Sequence, residues 1–497
     1  MSSGSRAPGN PGAPVVMSDG QPLVCAPQHR NAILWAAILA SSMGFIDSSV
    51  TAIAVPAMRT SLAASLDAAQ WFSGAYLLAL SSLLLAGGAM GDRFGVARVF
   101  LLGIIVFVLA SLTCALAQTA GQMVAARAFQ GVGAAVMVPG SMAIIARAFP
   151  REYRGRALGI WAAAATATTA MGPVLGGAIL TWGGENAWRA IFALNLPAGL
   201  VAGWLLRRHM YPDSGQPGTP IDHAGAGLAA VGLGLVSYAL ISGGRESTVI
   251  GMLGAVVLMI FLAWETRVRH PMIRLGLFRN RQFAAANLAT FLLYFALTSV
   301  MFYLPMTVIS AWDLNEIEVT AAFLPVSVLI AVLSGPAGKW ADKIGPGPLM
   351  AGGAALVALA YAAVSLTFSD ADFWGRTIPC MVVAGIGLGL MVAPLTVAVM
   401  AAAGDAEQGA ASGINNAVAR VASLVAIAVM GTIATWSYGA GMPGFGLSDN
   451  GTAHVVASQK AFATIAAIAA ICSALSAVVS IVGLRPKATD PHRAPKQ

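Results

Sequence analysis

Few residues of this chain can carry charge or move a proton, so each one placed in an apolar setting is a candidate for function. Twenty acids and 28 lysines and arginines are spread over 497 residues, most of them in short polar stretches. Asp47 is the exception, lying within the run 33–56 among apolar and small neighbours. A carboxylate at that depth is costly to keep and is a functional candidate by default. Burial favours its protonated form, so it can take and release a proton near neutral pH. The plainer reading is a structural partner for an arginine. Arg127, in Arg127-Ala-Phe-Gln130-Gly, stands in the first turns of another apolar run. A buried guanidinium needs a partner too. Pairing with ionised Asp47 would tie proton loss to helix movement; otherwise Arg127 bonds a helix end or a loop carbonyl. Arg420, in Gly413-Ile-Asn415-Asn416-Ala-Val-Ala-Arg420, has a comparable place in a later run, with no acid evident to face it.

A second set of charges sits at glycine-containing turns. Gly88-Ala-Met-Gly-Asp92-Arg93-Phe-Gly95, with Arg98 just beyond, resembles Gly338-Lys-Trp-Ala-Asp342-Lys343-Ile-Gly345. Glycine permits the turn, and the charges can latch helix ends against one another. Solvated loop charges are the plain alternative. Gly172-Pro173-Val-Leu-Gly176-Gly177 predicts a kinked, closely packed helix, since proline removes a backbone donor and glycine admits a neighbour. Trp71, Tyr76, Gln130, Met137, Trp161, Asn287, Tyr294 and Phe295 are candidates to line a substrate cavity, although each can equally be packing or an interfacial anchor. Such side chains suit bulky apolar or cationic ligands through stacking and cation–π contact. The phosphate-loop pattern GxxxxGK[ST] is absent, so energy is expected from an ion gradient. Cys25, Cys114, Cys380 and Cys472 have no metal-ligand spacing, and neither a metal nor another cofactor is expected.

The elements that must position these residues follow from composition. Hydrophobic residues make up 58% of the chain and charged residues only 10%, against about 25% in ordinary soluble domains. A lipid bilayer must serve as solvent for that excess. Fourteen runs approach the roughly 20 residues needed to cross the hydrocarbon. They are 31–57, 71–91, 99–117, 122–147, 156–182, 189–206, 224–242, 249–265, 283–311, 319–341, 348–367, 376–401, 409–438 and 458–483. If the N-terminus is cytoplasmic and the loops alternate, 21 of the 28 basic residues fall inside and five outside. That bias fits the positive-inside rule and places both termini in the cytoplasm. The net charge of +8 thereby reads as membrane orientation, with no nucleic-acid partner expected.

Two motifs recur at nearly one offset. Asp92 and Asp342 are 250 residues apart, and Gly131-Val-Gly133 leading to Pro139 is echoed 255 residues later by Gly385-Ile-Gly387 leading to Pro394. Two homologous halves follow, as parallel repeats in transporters. The expected organisation is a disordered cytoplasmic tail 1–30 without a signal peptide and a six-helix half 31–208. Two inserted helices with linkers (209–282), a second six-helix half (283–484) and a tail (485–497) complete it.

This ordered set resembles the major facilitator superfamily, and within it the fourteen-helix drug:proton antiporter branch, over roughly 31–485. Ile46-Asp47-Ser-Ser-Val-Thr-Ala-Ile-Ala-Val-Pro56 is similar to that branch's first-helix motif, and Gly88–Arg98 to the superfamily's loop motif. Arg127-Ala-Phe-Gln-Gly-Val-Gly resembles the fourth-helix motif, and Gly172–Gly177 the antiporter motif of helix five. Trp188-Arg189-Ala-Ile-Phe-Ala-Leu-Asn195-Leu-Pro197 and Leu277-Phe-Arg-Asn-Arg-Gln-Phe283 are also typical. The resemblance implies an all-α inner-membrane exporter of hydrophobic, often cationic, small molecules in exchange for protons. It would work as a monomer among membrane lipids, with Asp47 as proton site and Arg127 as its coupling partner. Helix thirteen, where some relatives carry further acids, shows Asn415 and Asn416, with Asp405 and Glu407 in the loop before it. Export of one metabolite, amino acid or lipid is the competing expectation. A membrane enzyme is disfavoured, because the sequence presents no metal cluster and no nucleophile–base pair.

Overall fold

The computed structural model describes residues 24–184, 186–211, 215, 221–242, 244–404, 407–439, 444–447 and 451–484. Residues 1–23 of the expected tail 1–30, the tail 485–497 and Asp405 lie outside these residues, whereas 24–30 are not a disordered tail, since Val24 and Cys25 are buried and Pro27–Arg30 open the first helix. Fourteen helices long and apolar enough to cross a membrane are present among them. In order they are α1 (Pro27–Ser61), α2 (Leu66–Phe94), α3 (Val96–Leu116), α4 (Ala120–Ala148), α5 (Glu152–Gly183), α6 (Trp188–His209) and α7 (His223–Ser242). Then come α8 (Gly244–Glu265), α9 (Arg281–Trp312), α10 (Glu316–Ile344), α11 (Pro346–Asp370), α12 (Phe373–Ala401), α13 (Gln408–Tyr438) and α14 (Thr452–Gly483). Every expected run falls on one of these spans, although the span holding 189–206 is interrupted. The 21 residues of α3 rise about 31 Å, enough for the hydrocarbon core.

Side chains mark where the helices begin. The Ser65 hydroxyl accepts from the Ala68 amide at 3.2 Å, and Thr119 accepts from Gln122 at the same distance. Asn315 and Glu318 close a reciprocal capping box at the start of α10. The chain turns from α2 to α3 on one residue, Gly95 at φ 99°, and from α10 to α11 on Gly345 at φ 84°. Both lie in the left-handed region that glycine tolerates, so the two copies of the motif fold alike.

The halves match in packing as well. A Cβ on Gly131 would strike the Tyr76 carbonyl of α2, and one on Gly133 would stand 2.6 Å from the Phe107 nitrogen of α3. In the second half, Gly385 faces Val326 of α10, and Gly387 faces Gly353 and Val357 of α11. Each GxG thus lets one helix lie against two others at backbone distance. Lipid offers no hydrophobic drive for helix association, so such close packing must supply it.

Two features depart from the sequence expectation. Several helices outrun their apolar runs: α1 continues past Pro56 to Ser61, and α2 begins at Leu66. Hydropathy reports the hydrocarbon crossing, whereas capped polar turns extend beyond it. The run 189–206 is not one helix, because backbone bonding is interrupted at Leu194, between Trp188–Ala193 and Asn195–His209. The inserted α7 and α8 pack on each other, with Gly232 against Leu258 and Gly254 against Val236. Across the seam, α7 touches α2 through Gly234 and Leu78, and Thr432 of α13 donates its hydroxyl to the Leu240 carbonyl. Large side chains on α8, such as Leu253, Met259 and Ile260, face outward, as lipid-facing residues would.

Candidate functional site

Asp47 and Arg127 meet. An Arg127 terminal nitrogen lies 2.6 Å from Asp47 Oδ2, and the two side chains are 1% and 0% exposed. A pair this dry survives only if its remaining donors and acceptors are satisfied, and most are. Arg127 donates from Nε to the Phe72 carbonyl at 2.7 Å and from its Asp47-bound nitrogen to Gln130 Oε1 at 2.5 Å. Gln130 stands one turn along α4, on the same face as Arg127. Its amide donates to Asp47 Oδ1 at 2.9 Å and to Ser111 Oγ at 2.7 Å. Asn195, just after the break in α6, donates to the same Ser111 hydroxyl at 2.9 Å. The guanidinium lies 4.5 Å from the centre of the Tyr76 ring. One carboxylate is therefore wired to α1, α2, α3, α4 and α6. Sequence reasoning reached Asp47, Arg127 and Gln130, though Gln130 was expected in a substrate cavity. It missed Ser111 and Asn195, neutral residues whose meaning arises from three-dimensional proximity.

Beside this network is a chamber of about 280 Å³ lined by Arg127, Tyr76, Tyr294, Pro173 and Arg420 among others. Through Thr169, Tyr294, Leu297, Ser327 and Ile330 it joins a second cavity of about 540 Å³. That cavity shares Met142, Ser412 and Asn416 with a mouth of about 1310 Å³ that reaches Asp92. The path thus runs from mid-helix depth to the end of the molecule bearing the repeated turns. The opposite end is sealed. There the Ile317 amide donates to Thr181 Oγ1 at 3.1 Å, and Thr320 donates to the Pro173 carbonyl at 3.0 Å. Buried Arg59 reaches the Phe445 carbonyl.

The antiporter-like segment serves that seal. A Cβ on Gly172 would strike Ser49 of α1, and one on Gly176 would strike Val50. One on Gly177 would come 2.5 Å from Thr320 Oγ1 and 3.0 Å from Ile317 Cα of α10. Glycine is needed there because α5 is pressed between helices of both halves.

Of the turn charges expected to latch helix ends, Asp92 does so and Asp342 and Lys343 form no ion pair among the described residues. Asp92 pairs with Arg147 at the end of α4, at 3.2 Å and within its own half. Arg93 lies over the Phe94 ring, while Arg98, Asp342 and Lys343 are exposed. Gly88 faces Pro139 and Gly338 faces Ala393 beside Pro394, again as counterparts.

Of the eight expected cavity residues, Tyr76 and Tyr294 line the path. The other six do not. Trp71 is half-buried on α2, and Met137 is buried against Gly44. Trp161 donates to Ser41 at 2.9 Å. Asn287 bonds the Phe283 carbonyl and accepts from Asn415 at 3.2 Å. Phe295 stacks on Phe291. Glu407 pairs with Arg274 at 3.3 Å near the mouth. Among the described residues, no three His, Cys, Asp or Glu gather as metal ligands would.

A helical bundle of apolar spans, with a deep cavity open at one end and sealed at the other, defines a multi-pass membrane transporter. The Major Facilitator Superfamily profile matches residues 37–427, and the chain belongs to that family. The methylenomycin A resistance protein of Bacillus subtilis is 31% identical over 437 residues, covering 86% of this chain and 92% of that one. Multidrug resistance protein Stp of Mycobacterium tuberculosis is 29% identical, covering 80% and 76%. The xylose transporter XylE from E. coli, in its inward open conformation, superposes with TM-score 0.61 at 17% identity over 93% of this chain and 98% of its own. At that identity the likeness speaks for the fold alone.

Proposed function

We propose that the protein is a proton-coupled exporter of small hydrophobic compounds, exchanging substrate for protons by alternating access as a monomer. One observation carries this: a buried, hydrogen-bonded carboxylate–guanidinium pair at the wall of a cavity open at one end. Related drug resistance and export proteins, such as the tetracenomycin C resistance and export protein of Streptomyces glaucescens, agree with export. The basic-residue bias supports an orientation with the open end and both termini in the cytoplasm, and the membrane of this reading is the cell inner membrane.

Protonating Asp47 removes its charge, so Arg127 loses its ionic partner while keeping Phe72 and Gln130. The link between α1 and α4 loosens. Ser49 and Val50, one turn along α1, pack on Gly172 and Gly176 of α5, and Gly177 packs on α10 at the seal. The proton site is therefore in mechanical contact with the gate. Proton entry from the outer side would favour the return to the form open at the repeated turns, and release to the cytoplasm would ready the cavity for substrate. A cation in the inner chamber would meet the Arg420 guanidinium and, among the described residues, no lining carboxylate. That weighs against the cationic part of the sequence expectation.

The test is efflux of a neutral fluorescent probe, N-phenyl-1-naphthylamine, from energised cells or vesicles. Wild type should export it only with a proton gradient, and Asp47→Asn should insert normally but lose gradient-driven export. Undiminished gradient-driven export by Asp47→Asn would remove Asp47 from the mechanism.

A further inference from the structure

We infer that the inner chamber is an organic-acid site and that Arg420 of α13 is the ligand for the acid group. This rests on the transport reading for its setting and sharpens its substrate class. Arg420 lines the chamber, half-buried, at the depth of Arg127 on the facing half. The two guanidinium groups differ in one respect. Arg127 is matched by Asp47, whereas Arg420 has neither an ion pair nor a hydrogen bond with any described residue. Among the described residues, no aspartate or glutamate lines the chamber or the cavity below it. Asp47 cannot serve Arg420, because both its oxygens are engaged and its side chain is sealed from the chamber.

An arginine is charged at any physiological pH, and its planar fork fits carboxylate and sulfonate oxygens. An ionised residue at membrane depth is costly, so an unpaired one marks a ligand pathway. With Asp47 and Arg127 neutralising each other, the chamber holds one net positive charge. At an effective dielectric of about 20, a unit charge about 5 Å away is favoured or disfavoured on the order of a hundredfold. The rest of the wall specifies the body of the ligand. Tyr294, Met301, Phe302 and Phe323 give an apolar, aromatic surface, and the Ser423 and Thr298 hydroxyls, bonded at 2.8 Å, stand next to Arg420. An apolar or aromatic molecule bearing one carboxylate or sulfonate fits all of these features.

A matched pair of probes isolates the acid group: 1-anilinonaphthalene-8-sulfonate and N-phenyl-1-naphthylamine, which differ by the sulfonate. Purified protein in nanodiscs would be titrated with each, with no gradient applied, so that binding is read independently of transport. Wild type should bind the sulfonate more tightly than the neutral amine. Arg420→Gln should raise the Kd of the sulfonate 10- to 100-fold and leave the amine within threefold, and Arg420→Lys should recover part of the loss. Equal binding of the sulfonate by wild type and Arg420→Gln would overturn the inference, as would tighter binding of ethidium than of the sulfonate by wild type. Competition with 1-naphthoate and with oleate then separates a small aromatic acid from a lipid acid. Displacement by either supports an acid site, and displacement by neither counts against it. Loss of gradient-driven export with the binding pattern intact would defeat the transport reading while leaving the acid site standing.

Discussion

Replacing Arg127 with methionine should destabilise the protein far more than replacing Arg127 and Asp47 together. The single change leaves the Asp47 carboxylate at 0% exposure with only the Gln130 amide to meet it. Removing one partner of a buried pair costs about 3–5 kcal/mol, chiefly the desolvation of the charge left behind. The unmet Phe72 carbonyl adds about 1 kcal/mol or more. The double variant Asp47→Asn/Arg127→Met buries no charge, and the asparagine carbonyl can still accept from Gln130. It should lie within about 2 kcal/mol of wild type, and so be about 2–4 kcal/mol more stable than the single variant. Equilibrium unfolding in mixed detergent–SDS micelles would read these differences, with gradient-driven efflux measured alongside. Both variants should lack coupled efflux, which separates the structural effect from the functional one. A single variant as stable as wild type, or a double variant no better than the single, would refute the picture of a dry, mutually compensating pair.

Two further outcomes are expected. Gly177→Ala should push the sealed end open, because its Cβ would crowd Thr320 and Ile317 of the other half; overpacking costs about 1–3 kcal/mol. Cross-linking between cysteines introduced at Thr181 and Ile317 should fall at least fivefold, and unchanged cross-linking would mean that the seal does not rely on that contact. Cys25 lies before the apolar part of α1, fully buried, and burial pushes its thiol up to about 11. The thiolate is the reactive form, so maleimide at pH 7 should leave Cys25 unmodified in folded protein and label it after denaturation, as read by mass spectrometry.

The spans were legible because an apolar run must be long to cross a bilayer, and nothing soluble would tolerate fourteen of them. Asp47 and Arg127 stood out for the complementary reason, since charge is scarce at that depth. Gly95 and Gly345 could be paired from sequence because one tight turn was used twice. The lining of the cavity was not legible in the same way. Lipid and protein interior are equally apolar, so these helices lack the polar face that would tell inside from outside. Trp161 and Phe295 are aromatic residues in the right helices, yet packing directs the first onto Ser41 and the second onto Phe291. Arg420 was visible as a charge without a partner; only the structure shows that it lines the chamber.

That wall also has an electrical consequence. One proton entering for each monovalent acid leaving moves two elementary charges in the same sense across the membrane. Every 100 mV of membrane potential would then contribute roughly 4.6 kcal/mol to the exchange. Swapping a proton for a monovalent cation would gain nothing from that potential. On the acid-export proposal, a chamber with half-buried Arg420 in its wall and no carboxylate among its described lining would make voltage a principal source of drive. Such an exporter would keep working when the medium outside is no more acidic than the cytoplasm.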